Sequence, residues 1–167
     1  DESPAQQVTE HLLKRLHSVT PRISSMEAGS FWLEPFSSTD DGESHFVAQV
    51  FALLREEGFD DPRVGIADTV VASNAASRLV GPYGWRSVET GGDASFLAEL
   101  SLDFLPIGIH LKSLLRGVGV RTIQELQLFS SDGIQRRLGR AGLRAWTLAW
   151  AKDPRGPRTP ACKAARR

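Results

Sequence analysis

At 167 residues the chain is long enough for one large domain or two small ones, and 41% hydrophobic with 24% charged residues is the makeup of a protein with a buried core. A single cysteine, Cys162, excludes an internal disulfide framework and fits a reducing cytoplasm; no apolar run approaches the roughly 18 residues of a membrane span, and no signal peptide is evident. The net charge of zero hides a division: residues 1–105 hold 7 Lys/Arg against 17 Asp/Glu, a balance of −10, and residues 106–167 hold 13 against 3, a balance of +10.

Taken in chain order, Ser3-Pro4 is a helix start, and Val8, Leu12, Leu16 and Val19 at helical spacing predict a helix over 3–19 ended by Pro21. Residues 22–25 and 30–36 read as short strands with a bend or bulge at Ala28-Gly29. Asp41-Gly42 is a turn signal. Ser44 is a cap for a second helix carrying Phe46, Val47, Val50, Phe51 and Leu54 and stopped by Gly58. Residues 63–67 form an apolar strand, and Asp68 or Thr69 caps a helix to about Leu79. This alternation predicts an α/β layer. Gly81-Pro82-Tyr83-Gly84 breaks it, and residues 84–96 read as loop with a strand at 85–89. Beyond Pro106 the pattern is helical in pieces, 109–116, 122–129, 132–138 and 141–151, split at Gly117-Val118-Gly119 and at Gly139. After Asp153-Pro154 the chain becomes a basic Pro/Gly-containing linker or tail. The start at Asp1, without an initiator methionine, suggests a piece of something longer.

The basic half is a candidate for contact with a polyanion, nucleic acid above all. The plainer reading is that the two halves neutralise each other, or that the tail aids solubility. The sharpest local signal lies in Leu111–Phe129, where two short helices flank a glycine turn, with Thr122 as a cap and Ile123, Leu126 and Phe129 facing inward. This has the form of a helix-hairpin-helix element. Glycines let the backbone approach a phosphate, and amides at the following helix N-terminus bind the anion. Gly117, Val118, Gly119 and Thr122 are the backbone candidates, with Arg116 and Arg121 flanking them and Gly108, in Pro106-Ile107-Gly108, marking a second hairpin. Such contacts position DNA without reading its sequence. The competing reading is an ordinary helical corner with a glycine cap.

Three motifs in register carry a family resemblance. Gly65-Ile66-Ala67 followed by an Ala-rich helix, Leu105-Pro106-Ile107-Gly108 through Leu126, and Leu148-Ala149 through Asp153-Pro154-Arg155 resemble, in order and spacing, the palm and thumb of Y-family (translesion) DNA polymerases. The resemblance covers most of residues 5–158. It implies an α+β or α/β fold: a partial polymerase palm with a short mixed sheet over residues 1–80, a connecting segment over 81–104, a small all-helical thumb with a helix-hairpin-helix over 105–152, and a basic tail over 153–167.

The departures are specific. Active members carry Ser-x-Asp-Glu-Ala-Tyr-Leu-Asp in the palm. Here Trp32, Leu33 and Glu34 match its end, and Gly29 and Ser30 stand where the aspartate and glutamate belong. Phosphoryl transfer in this family needs carboxylates holding two magnesium ions, and neither glycine nor serine supplies one. Glu27 is the fallback acid if the match is shifted. Thr69-Val70 replaces an Asn-Lys pair, which removes a basic side chain near the triphosphate, and Pro106-Ile107-Gly108 lacks the first glycine of the usual hairpin.

This pattern resembles the ImuB-like branch. The resemblance implies no catalytic residues, no cofactor (magnesium only in an active polymerase), and a non-catalytic DNA-binding scaffold role in damage-induced translesion synthesis and SOS mutagenesis in the cytoplasm. Its implied partners are the DNA backbone, an error-prone polymerase, a RecA-like accessory protein and the sliding clamp, reached partly through regions outside this chain. The alternatives are a fragment of an active translesion polymerase, and a protein-interaction module without DNA contact. His11, His17, His45 and His110 lack metal-pair spacing, no P-loop is present, and Cys162 has no catalytic company. Trp146 and Trp150, four apart on one helix face, are read as core packing ahead of base-stacking platforms.

Overall fold

The computed structural model describes residues 4–27, 29–35 and 40–153. Cys162 and the basic tail from residue 154 lie outside them. The chain divides into two compact units, one ending at Pro62 and one running from Arg63 to Arg155.

The first unit is α1 (Pro4–Leu16), β1 (Ile23–Glu27), β2 (Ser30–Leu33) and α2 (Asp40–Glu56). Proline suits the first position of α1, where no intrahelical amide bond is lost. Leu12 and Leu16 are buried, but Val8 is half exposed, and residues 17–19 form a turn, so the helix is shorter than its periodicity suggested. β1 and β2 pair antiparallel, Ile23 opposite Leu33 and Glu27 opposite Ser30, with a register shift between Ser25 and Glu27, ahead of the bend or bulge expected at Ala28-Gly29. Ala28 lies outside the described residues. The hairpin is tied at its base, where the Thr20 hydroxyl donates to the Glu34 carbonyl at 2.6 Å. α2 begins four residues before Ser44 and takes in Asp41-Gly42, which reads as a turn in the sequence. In a helix's first turn the amides need no intrahelical partner, so a glycine there costs less than one in the helix interior. Val47, Val50 and Leu53 of α2 are buried. On the surface, Glu57 binds both His11 and Arg15, and the His11 and Arg15 hydrogen bonds hold its carboxyl below the ordinary value.

The second unit opens with a βαβ crossover: β3 (Val64–Ile66), α3 (Val70–Arg78) and β4 (Trp85–Ser87), with β3 and β4 parallel, Val64 opposite Trp85. The described strands thus make one antiparallel pair and one parallel pair. α3 lies directly on β3. A Cβ at Gly65 would stand 2.0 Å from the Ser73 carbonyl oxygen, and the Ser73 hydroxyl donates to the Gly65 carbonyl at 2.7 Å. Val71, Ala72, Ala75 and Ala76 line the buried side of α3, where small side chains permit this approach.

The expected loop over 84–96 in fact holds the start of a short helix, α4 (Asp93–Ala98). A 3-10 turn at Leu102–Phe104 follows, then α5 (Ile109–Gly117), α6 (Ile123–Gln127) and α7 (Ser131–Ala149). Leu97, Leu102, Leu105, Leu115, Ile123, Leu126, Ile134 and Leu148 join Val71 and Ala75 in one core, so the crossover and the helices are packed as a single body. α7 is two helical segments separated at Gly139, whose φ of 61° and ψ of −153° lie in a region essentially reserved for glycine. The break at this residue agrees with the sequence reading. The whole is a mixed α+β arrangement, as expected.

Candidate functional site

Gly29 and Ser30 form the tip of the β1–β2 hairpin. Gly29 is exposed with φ 79°, and Ser30 opens β2 opposite Glu27. The backbone of Glu27 ends β1; its side chain lies outside what the structure describes. Glu34, the one acid retained at the far end of the motif, is engaged by Arg22, whose Nη1 donates to both carboxylate oxygens at 2.9 and 3.0 Å. Among the described residues no three acidic, histidine or cysteine side chains gather as a metal site. Gly29 and Ser30 themselves offer no carboxylate to a metal.

At the N-terminus of α3, Val70 is 4% exposed within the core. The buried Asp93 carboxylate accepts from the amide of the N-cap Thr69 at 2.8 Å and from its hydroxyl at 2.6 Å.

The α5–α6 hairpin is built as its sequence suggests, with a difference in where its amides go. Gly119 has φ 91°, and no atom lies within 4 Å of a Cβ placed there, so the turn needs glycine for its backbone and not for space. The Gly119 and Val120 amides return to the Arg116 and Leu115 carbonyls. The Leu102 amide donates to the Arg121 carbonyl and the Ile123 amide to the Leu100 carbonyl, which clamp the entry of α6 to the preceding segment. Thr122 caps α6 in a reciprocal box with Glu125. The Glu125 carboxylate accepts the amides of Arg121 at 2.6 Å and Thr122 at 3.0 Å, and these two bonds hold its carboxyl below the ordinary value. The amides at residues 118–122, which the sequence reading offered to a phosphate, are therefore bonded within the chain. Thr122-Ile123-Gln124-Glu125 spells a capping box, and that was the signal for Glu125 in the sequence.

The other hairpin is more open. Gly108 is the N-cap of α5 and has no side chain to close it. The first-turn amides of a helix lack intrahelical acceptors, and here Gly108, Ile109 and His110 are all exposed. The start of α5 at Gly108, the hairpin whose sequence match is weaker, thus has exposed residues and no side-chain cap.

The cations of the hairpin region differ in their engagement. Arg116 Nη2 donates to Asp103 Oδ1 at 2.7 Å. The Asp103 carbonyl accepts from Lys112 Nζ at 3.2 Å and from Arg78 Nη1 at 3.1 Å. The Arg116 hydrogen bond, with the charges of Arg116 and Lys112 behind it, holds the Asp103 carboxyl below the ordinary value. Arg121 is exposed, and its guanidinium makes no ion pair among the described residues. Gly117 and Val118 are exposed at the end of α5. His11 and His45 are bound to Glu57 and Gln49, which accounts for two of the four histidines without a metal.

No protein-family profile matches the chain. In sequence it is 27% identical over 147 residues to DNA polymerase IV of Caulobacter vibrioides, covering 85% of this chain and 36% of that protein. It is 35% identical over 94 residues to DNA polymerase IV 2 of Mesorhizobium japonicum, covering 55% of this chain and 23% of that protein. In structure it matches DinB from Sulfolobus solfataricus with a TM-score of 0.74 at 16% identity, over 93% of this chain and 47% of that one. An insertion ternary complex of Dbh DNA polymerase matches with a TM-score of 0.74 at 17% identity, over 89% and 45%. The chain spans about a third or less of these curated relatives and about half of the solved chains. Its fold is that of part of a DinB-type polymerase, and in sequence it is similar to part of the DNA polymerases IV of these bacteria.

Proposed function

We propose that the chain is the late-palm and thumb part of a Y-family polymerase-like protein that binds DNA and does not itself transfer nucleotides, closest to the ImuB-like branch. The observation that carries this reading is the hairpin tip at Gly29 and Ser30, where no carboxylate stands beside an otherwise matching Trp32-Leu33-Glu34. Val70, buried in the place where the resemblance puts a lysine, supports the same conclusion.

In this reading the thumb holds the DNA backbone through a helix-hairpin-helix. The exposed amides at Gly108 and the guanidinium of Arg121 are its principal contacts, with Arg116, Gly117, Val118, Gly119 and Thr122 forming the frame. The protein acts in damage-induced synthesis and SOS mutagenesis in the cytoplasm. There it scaffolds an error-prone polymerase, a RecA-like accessory protein and the sliding clamp. The test is primer extension by the full-length protein. No template-directed incorporation is expected, and incorporation that is lost on Glu27→Gln would overturn the reading.

A second reading, a piece of an active translesion polymerase, is favoured by the names of the curated relatives, which are DNA polymerases IV. The same assay separates the two. Steep salt dependence of duplex binding distinguishes both from a protein-interaction module, because neutralised phosphates release counterions.

A further inference from the structure

The second segment of α7 carries a surface that the hairpin site does not use. After the break at Gly139, its inner side is formed by Gly142, Ala145, Leu148 and Ala149, all buried. Arg140 and Arg144, four residues apart, are exposed on its outer side, and the exposed Trp150 caps its C-terminal end. Residues 140–152 contain no acid, and neither Arg140 nor Arg144 makes an ion pair or hydrogen bond among the described residues. The run from Arg140 to Trp150 rises about 15 Å along the helix.

The aromatic end of this face is ordered from behind. Trp146 Nε1 donates to the Phe129 carbonyl at 2.8 Å, which fixes the inner ring, and the ammonium of Lys152 lies 5.4 Å from that ring's centroid. Trp150 is tilted 56° to Trp146 with centroids 6.2 Å apart and remains 38% exposed. One tryptophan is thus a packing anchor and the other an exposed ring backed by it. Of the two roles weighed for this pair in the sequence, Trp146 fills the first and Trp150 is placed for the second.

We propose that this face binds single-stranded nucleic acid, with a base stacked on Trp150 and the neighbouring phosphates on Arg140, Arg144 and Lys152. An aromatic ring beside a run of cations suits this ligand, because every base has a π-face and the backbone is anionic throughout. Three cations against no acid within residues 140–152 favour a polyanion over a basic partner. The site lies on α7, apart from Gly108 and Arg121, and does not depend on the reading of the α5–α6 hairpin.

The test is fluorescence anisotropy of the whole chain with a labelled thymidine oligonucleotide, a duplex of the same length, and a single strand of abasic sites. At about 50 mM salt the thymidine strand binds, and the abasic strand binds about five- to a hundredfold more weakly, the scale of one lost base stack. Trp150→Ala gives a similar loss for the thymidine strand, Trp150→Phe retains most of the affinity, and duplex binding is unchanged by either. Arg140→Gln with Arg144→Gln lowers the slope of log affinity against log salt by about 1.4. Equal binding of abasic and thymidine strands by the unmodified chain overturns the proposal whatever the variants do. So does an equal loss from Leu128→Ala, a neighbouring exposed apolar residue, which marks a protein-docking surface. Failure to bind the single strand alongside capture of a polyglutamate peptide overturns it likewise. Loss of duplex binding on Arg121→Glu, with single-strand binding intact, tests the hairpin separately.

Discussion

Arg116 Nη2 and Asp103 Oδ1 stand 2.7 Å apart, and they join the last turn of α5 to the 3-10 turn that precedes it. Both side chains are about half exposed, so water and salt screen the pair. The arginine that the sequence offers to a phosphate is therefore held by an acid of its own chain. A DNA phosphate reaching Arg116 competes with that carboxylate for its charge.

Asp103→Asn is expected to raise affinity for duplex DNA by about two- to fivefold, the scale of one exposed ion pair. The effect should shrink as salt increases. Anisotropy titrations of both forms across a salt series measure it, and an unchanged or weakened affinity would mean that Asp103 aims Arg116 instead of occupying it.

Gly119 tests the backbone of the hairpin. Because nothing crowds its Cβ position, the cost of Gly119→Val comes from forcing φ 91° on a β-branched residue, about 1–3 kcal/mol. Arg121→Glu leaves the backbone alone and reverses a charge. Both are expected to weaken duplex binding while the first unit stays folded. Chemical denaturation followed by DNA titration separates the fold from the contact, and loss of structure in both units together would count against separable units.

The capping carboxylate makes the second unit sensitive to acid. Glu125 has its folded value below the ordinary 4.5, and Asp103 below 3.8, so each contributes stability that is present above those values. That contribution is lost as pH falls through the lower folded values. Melting temperature is therefore expected to be flat from neutral pH to about 5 and to drop in more acid solution. Glu125→Gln should lower the neutral-pH plateau and flatten the acid limb, and thermal melts across pH read both. Thr122→Ala should remove about 1 kcal/mol at neutral pH, as the loss of a cap.

Gly65 sets the distance between β3 and α3. Gly65→Ala places a methyl 2.0 Å from a backbone oxygen, which no side-chain rotation relieves, and should destabilise the second unit by about 3 kcal/mol. The midpoint of urea unfolding measures this. A loss below about 0.5 kcal/mol would mean that α3 shifts freely on the sheet.

The helical half was largely legible because glycines and caps punctuate it. Thr122 and Gly139 each mark a boundary that the structure keeps. α4 was not legible: six residues are too few to establish a period, and the partner of Asp93 lies 24 residues away at Thr69. The start of α2 was displaced because Asp41-Gly42 has local turn chemistry that the helix overrides. In the candidate site, residue types and positions were readable, but their occupancy was not. That Arg116 answers to Asp103 depends on a contact 13 residues apart, whereas the Glu125 box was written locally and passed over.

Gly139 has a consequence for the arginines around it. Its backbone changes direction within one residue, so Arg136 and Arg137 belong to one rod while Arg140 and Arg144 belong to another. On an unbroken helix, spacing alone would set these four charges on a continuous spiral. Here a residue without a side chain decides which of them share a horizon. The electrostatic layout of α7 is therefore written at a position that carries no charge, and a change there would redraw the layout without touching a single arginine.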